Sequence, residues 1–170
     1  MGLEVTPQIG VVAMPHLICF LNDNPTLYAY LFVNFVRECE KWAGVLEDKI
    51  AEATINAFVL QITGEMDKNE KFAFIRLFTS AIEMHGMLPR VLAATAAANT
   101  GIDQPLLGMV FRIGLPRCIV TLLQEMGRNA RLDGMTGIFL VATDWKMFVK
   151  LLLSVLLPRD YRDVEPPEYD

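Results

Sequence analysis

The segment from Gln124 to Gly134 (QEMGRNARLDG) carries two arginines, Arg128 and Arg131, three positions apart. Residues with this spacing share one side of a helical turn, so the two guanidiniums can converge. A guanidinium stays charged and presents a planar fork of donors, which suits a polyphosphate oxygen that gains charge during hydrolysis. The alternative is a pair of surface arginines that cap the carboxyl end of a helix, and spacing alone favours it.

A second segment of interest, residues 94–103 (ATAAANTGID), leaves a predicted strand and enters a turn of small residues. Small residues let the backbone approach a ligand closely. Thr95 and Thr100 offer hydroxyls to a phosphate, and Asp103 can accept from a sugar hydroxyl or pair with one of the arginines. The alternative is a tight packing point in which Asp103 caps a turn.

The elements that must position these residues follow from the hydrophobic pattern. Apolar runs of strand length occupy residues 27–34, 55–62, 90–95, 108–113 and 136–142. Helical patterns lie between most of them, at 36–50, at 67–81 behind an Asp67 cap, at 116–127 and at 145–158. This alternation predicts a three-layer α/β/α fold with a mainly parallel sheet. Ligands of such sheets bind beyond the carboxyl ends of the strands, so we expect the arginine pair at that rim.

Composition and charge limit the classes of protein to which this chain can belong. The 170 residues have a net charge of -5 and show no basic stripe. We predict one domain over residues 27–158, an N-terminal segment 1–26 without an assigned element, and a mobile acidic tail at 159–170. No apolar run reaches the ~18 residues of a membrane span. Three widely spaced cysteines indicate a reducing, intracellular compartment rather than disulfides or a zinc site. We expect Trp42 and Trp145 to pack rather than stack on bases.

Taken in order, these segments resemble the second RecA-like motor domain of superfamily-two helicases, and specifically the RecQ family of ATP-dependent DNA helicases. Gln124-Glu125-x-Gly127-Arg128-x-x-Arg131 resembles the sixth motif of that family. Ala94-Thr95 through Gly101-Ile102-Asp103-x-Pro105 resembles the fifth. Residues 31–46, 64–78 and 110–116 resemble the fourth motif, the glycine turn with its helix, and the stretch between the fifth and sixth motifs. The resemblance spans residues 27–145.

The resemblance implies a role for each matched residue. Arg131 would be the arginine finger that reaches the γ-phosphate of ATP, and Arg128 its companion. Such a finger contributes on the order of 10³ or more to the hydrolysis rate. The remaining implied ATP contacts are Gln124, Gly127, Gly101 and Asp103, and the implied DNA contacts are Thr95, Asn99, Thr100 and Arg37. The family resemblance further implies 3′ to 5′ translocation on single-stranded and duplex DNA, work in DNA repair and recombination, and a nuclear location in a eukaryote.

Several features depart from the family pattern. Leu132 inserts one residue after Arg131, and Arg112 stands where a histidine is usual. The sequence has no GxxxxGK[ST] phosphate loop and no acidic magnesium box. ATP and Mg²⁺ would therefore be bound mainly by a first RecA-like motor domain, in cis or in trans, and this chain alone should not hydrolyse ATP. The alternative is a helicase remnant without catalysis that binds nucleic acid or protein; neither reading involves a membrane.

Overall fold

The computed structural model describes residues 6–95, 102–116, 118–129, 131 and 133–156. Its helices are α1 (Thr6–Asp23), α2 (Val36–Glu52), α3 (Lys68–Thr79), α4 (Ile119–Met126) and α5 (Trp145–Leu156). Its strands are β1 (Tyr28–Val33), β2 (Val59–Ile62), β3 (Val91–Thr95), β4 (Leu107–Ile113) and β5 (Ile138–Ala142). The acidic tail predicted at 159–170 lies outside the described residues.

The five strands form one sheet in the order β2-β3-β1-β4-β5, and every neighbouring pair is parallel. Strands β1, β3 and β4 are buried along their whole length, because helices cover both faces of the sheet. Ala29, Leu31 and Val33 pack on one face with residues of α1 and α2. Tyr30 and Phe32 pack on the other face with residues of α3. The predicted three-layer α/β/α architecture is confirmed.

Local sequence signals explain where the predicted elements begin and end. The Asp67 carboxylate accepts a hydrogen bond from the backbone N–H of Asn69 at 2.7 Å, which caps α3 as predicted. Helix α4 ends at Gly127, whose backbone N–H closes the last turn on Leu123. The strand predicted from residue 55 begins only at Val59, because residues 53–58 first leave α2 through a turn.

The N-terminal segment is corrected by the structure. The sequence pattern assigns no element to residues 1–26, yet Thr6–Asp23 form α1, with Pro15 inside the helix. Leu17 and Leu21 of α1 are fully buried against the sheet. Proline disfavours a helix interior by removing a backbone donor, and here tertiary packing outweighs that local cost. Gly10 permits the close approach to α2, since a Cβ there would lie 2.2 Å from a ring carbon of Trp42.

Helix α5 is the predicted last helix, but its apolar stripe is exposed. Trp42 is buried as expected, whereas Trp145 is 73% exposed, so the prediction that Trp145 packs is wrong. Phe148 lies beside it with ring centroids 5.6 Å apart, and Leu152 and Leu156 continue the stripe. Periodicity identifies which face of a helix is apolar, but not whether anything covers that face. No helix in the described ranges is long and apolar enough to span a bilayer.

A buried arginine fastens α1 to the sheet. Arg90, 2% exposed, precedes β3 and donates to the carbonyl oxygens of Leu21 at 2.9 Å, Asn24 at 2.5 Å and Leu27 at 3.1 Å. Burial lowers the pKa of this guanidinium, and the electrostatic effect of Tyr28 partly opposes that shift. Because these carbonyls end α1 and lead into β1, Arg90 serves as the cap of that helix.

A second buried arginine fixes α4. Arg112 of β4 and Glu125 of α4 are both fully buried, with Nη1 and Oε1 2.5 Å apart. Arg112 also donates to the Asn34 side chain, which in turn donates to the carbonyl of Leu115 at 3.1 Å. Burial raises the pKa of Glu125, and the positive charge of Arg112 opposes that shift. The carboxyl ends of β1 and β4 are thereby tied to α4.

We predict that Arg90→Met lowers the free energy of unfolding by about 2–3 kcal/mol, because one buried and two partly buried carbonyls lose a charged donor. Urea denaturation followed by circular dichroism measures the change. Arg76→Met, at an exposed arginine of α3, is the matched control and should change stability by less than about 0.5 kcal/mol. Equal stability of the two variants would contradict the capping role of Arg90.

We predict that Glu125→Leu costs about 3–5 kcal/mol, because it leaves the Arg112 charge buried without its counter-charge. Arg112→Met/Glu125→Leu should recover most of that loss, since a buried pair of apolar side chains is often as stable as the ion pair it replaces. A double-mutant cycle of urea midpoints gives the coupling energy. Additive losses in the double variant would show that the two residues stabilise the domain independently.

Candidate functional site

The two arginines singled out in the sequence reach the same segment of the chain. Arg128 follows α4 and donates from Nη1 to the carbonyl oxygen of Ile102 at 2.9 Å. Arg131 donates from Nη1 to Asp103 Oδ1 at 2.7 Å. These contacts join residues 26 and 28 positions apart. Of the three options given for Asp103, the structure forms the pairing with an arginine.

The location of this arginine site differs from the predicted rim. Ile102 belongs to the apolar cluster on the α3 face, together with Tyr30 and Phe78, and the segment that contains it leads into β4. Tyr30 lies in the middle of β1, and the positive charges of Arg128 and Arg131 act to lower the pKa of its phenol. The guanidiniums therefore lie on the α3 face of the sheet, beside the segment that enters β4 at its amino end. The expectation that they lie at the rim beyond the carboxyl ends of the strands is wrong.

Tyr30 is a neighbour of the arginine site that no sequence pattern indicated, and the charges of both arginines act on its phenol. The Tyr30 ring stacks on Phe78 with centroids 5.4 Å apart, and its buried hydroxyl finds no hydrogen-bond partner among the described residues. Burial raises the pKa of this phenol well above its usual range, although the nearby arginines oppose the shift. The only sequence signal was an aromatic residue within an apolar strand, which is typical of any core.

Arg131 and Asp103 form the exposed part of the site. Their side chains are 40% and 67% exposed. An ion pair in contact with water contributes only about 0–1 kcal/mol, because solvent screens both charges. A more highly charged anion can therefore replace Asp103 at the Arg131 guanidinium. Within the described part of the chain, no three His, Cys, Asp or Glu side chains gather as metal ligands.

The other predicted contacts fall into three groups. Gln124 is an exposed residue of α4, four positions before Arg128. Gly127 is the C-cap of that helix. Thr95 ends β3 in register with Val33 of β1, so it lies at the same sheet edge as Arg37, in the first turn of α2. Arg37 is exposed, whereas Thr95 is buried. Asn99, Thr100 and Gly101 lie outside the described residues.

Known structures share this fold. The second domain of the DEAD-box helicase Mss116p, bound to an RNA duplex, superposes with a TM-score of 0.71 at 18% identity, over 89% of this chain and 56% of that one. Mycobacterium smegmatis helicase Lhr, bound to single-stranded DNA and AMP-PNP, gives 0.62 at 16% identity, over 92% and 20%. E. coli DEAD-box protein SrmB, bound to regulator of ribonuclease activity A, gives 0.60 at 22% identity, over 92% and 90%.

At the level of sequence, the chain matches one family model. No curated protein matches the sequence significantly. This chain spans 56% of the Mss116p domain structure and 28% of a longer Mss116 structure bound to single-stranded RNA. The family model for the helicase conserved C-terminal domain matches residues 13–133. This range includes the second half of α1, the Arg112–Glu125 pair and both arginines of the site. The chain therefore belongs to the helicase conserved C-terminal domain family.

Proposed function

We propose that this chain is the carboxyl motor domain of an ATP-driven helicase, in which Arg131 acts on ATP that a first motor domain binds. The observation that carries the proposal is the convergence of Arg128 and Arg131 on Ile102 and Asp103. This convergence joins the two motifs that, in the RecQ-like reading of the sequence, belong to one ATP cleft. Mg²⁺ would enter with the nucleotide on the first motor domain.

Within the arginine site, the two guanidiniums have different surroundings and therefore suit different tasks. Arg128 is partly buried and bonded to a backbone carbonyl, which makes it a fixed charge. Arg131 is half exposed, and its ion pair with Asp103 is weak because solvent screens both charges. A γ-phosphate can take over Arg131 as negative charge develops on its oxygens, and Asp103 is then free to accept from the ribose.

The proposed track is single-stranded DNA, bound at the carboxyl edge of the sheet by the exposed Arg37, because the neighbouring Thr95 is buried. The RecQ-like motifs favour DNA and 3′ to 5′ movement. Among the structural relatives, however, both RNA-bound and DNA-bound proteins occur, so RNA is the competing track. Arg37 supports either track, because phosphate contacts carry no sequence or sugar information by themselves.

A second candidate is a non-catalytic remnant that binds nucleic acid or protein. It is favoured by the inserted Leu132 directly after Arg131 and by the lack of a phosphate loop in the sequence. In this case the arginine site would persist as packing, and nucleotide turnover would not depend on Arg131. The first of the following two experiments separates the candidates, and the second tests the proposed track and the Arg37 contact.

We predict that the chain, combined with a RecQ-type first motor domain, shows ATPase activity stimulated by single-stranded DNA. Arg131→Ala should lower kcat about 10³-fold, because the developing phosphate charge loses its arginine. Arg131→Lys should also be impaired, since an ammonium cannot reproduce the planar fork. Arg76→Ala is the matched control and should leave kcat unchanged. An Arg131→Ala variant as active as the wild type would favour the remnant.

We predict that the isolated chain binds a fluorescein-labelled single-stranded DNA at low salt, with an affinity that falls as salt rises. Arg37→Ala should weaken binding and make the salt dependence shallower by about one counterion, as expected for one phosphate contact. Fluorescence anisotropy with DNA and RNA of the same sequence compares the two tracks. Tighter binding of the RNA would contradict the DNA proposal, and unchanged binding by Arg37→Ala would contradict the proposed contact.

A further inference from the structure

Asn129 lies between the two arginines of the site, and its side chain reaches a different part of the fold. Arg128 and Arg131 contact the segment before β4. Asn129 instead donates from Nδ2 to the carbonyl oxygen of Ile138, the first residue of β5, at 2.7 Å. The arginine segment 128–131 is therefore attached on two sides, to the entry of β4 and to the entry of β5.

The attachment to β5 depends on a glycine. A Cβ built on Gly137 would lie 2.4 Å from Cγ of Asn129, and within 2.6 Å of both its amide nitrogen and its amide oxygen. No side chain fits at that position while Asn129 keeps its place, because real Cβ contacts are never so short. Gly137 thus forms the floor on which the Asn129 amide lies. No sequence pattern marks Asn129 or Gly137 as functional.

We propose that Asn129 is a positioning residue, which anchors the arginine segment to β5 and so determines where the Arg131 guanidinium is held. Its catalytic consequence rests on the proposed function, whereas the anchoring itself does not. The other attachment of Arg131 is its exposed contact with Asp103, which phosphate must displace during turnover. Once Asp103 has been displaced, the Asn129 contact still restrains the segment. A displacement of about 1 Å at a reacting group can cost 10²-fold in rate.

The first test measures the anchor in this chain alone. In Asn129→Asp the side-chain shape is kept, but the amide donor is replaced by an oxygen that repels the Ile138 carbonyl. Gly137→Ala keeps the Asn129 amide but fills the space in which it lies. Both variants should shift the Arg131 Nε–Hε resonance in NMR spectra, in the same direction as Asp103→Asn does. Gly44→Ala is the matched control, since a Cβ there meets nothing within 4 Å, and it should leave the resonance in place.

The second test measures catalysis with the first motor domain present. Asn129→Asp and Gly137→Ala should lower kcat for ATP at least tenfold and leave KM within about twofold, because Arg131 acts mainly on the transition state. Lost stability alone would instead shift the urea midpoint without this split between kcat and KM. In an Arg131→Ala background, Asn129→Asp should lower kcat no further, since the residue acts through Arg131.

The outcomes separate the two proposals. An unshifted Arg131 resonance in both anchor variants overturns the positioning role, whatever the ATPase does. Normal kcat in Asn129→Asp, alongside a strong loss in Arg131→Ala, also overturns it. A shifted resonance together with normal ATPase in Arg131→Ala supports the anchor and rejects the arginine-finger function. An additional tenfold loss from Asn129→Asp in the Arg131→Ala background would show that Asn129 does not act through Arg131.

Discussion

The buried pair of Arg112 and Glu125 is the constraint on which the arginine site depends. Both side chains are fully removed from water, so neither charge can move without leaving the other uncompensated. Asn34 extends the pair to the carboxyl end of β1. Because the arginine segment begins directly after α4, the position of that helix decides where Arg128 starts. A polar network inside a largely apolar core thus fixes the helix from which the arginine segment leaves.

The charged contacts become weaker toward the surface. Arg112 is fully buried, Arg128 is partly buried against the Ile102 carbonyl, and Arg131 shares its exposed contact with Asp103. In low dielectric a broken pair costs several kcal/mol, whereas at the surface it costs about 1 kcal/mol or less. This order suits a site that keeps one guanidinium fixed and releases another to an incoming phosphate. Asn129, two positions before Arg131, adds a contact with β5 that is separate from the ion pair of Arg131 with Asp103.

Much of the fold and part of the site could be predicted from local sequence. The spacing of apolar residues predicted all five strands and helices α2 to α5, and Asp67 predicted the start of α3. Helix α1 was missed, because the burial of Leu17 and the Arg90 cap outweigh Pro15 only in the packed domain. For Trp145, periodicity indicated an apolar face, but the neighbours that would cover it are a matter of tertiary structure.

The sequence by itself determined the layered parallel fold and the two segments that carry Arg128, Arg131 and Asp103. Hydrophobic period and residue type act over a few positions, and both are visible along the chain. Only the tertiary structure decided that Arg131 pairs with Asp103, and that Asn129 lies on Gly137. Those choices depend on which backbone segments approach closely enough to exclude a side chain. Such approaches are set by the packing of whole helices against the sheet, which no local pattern records.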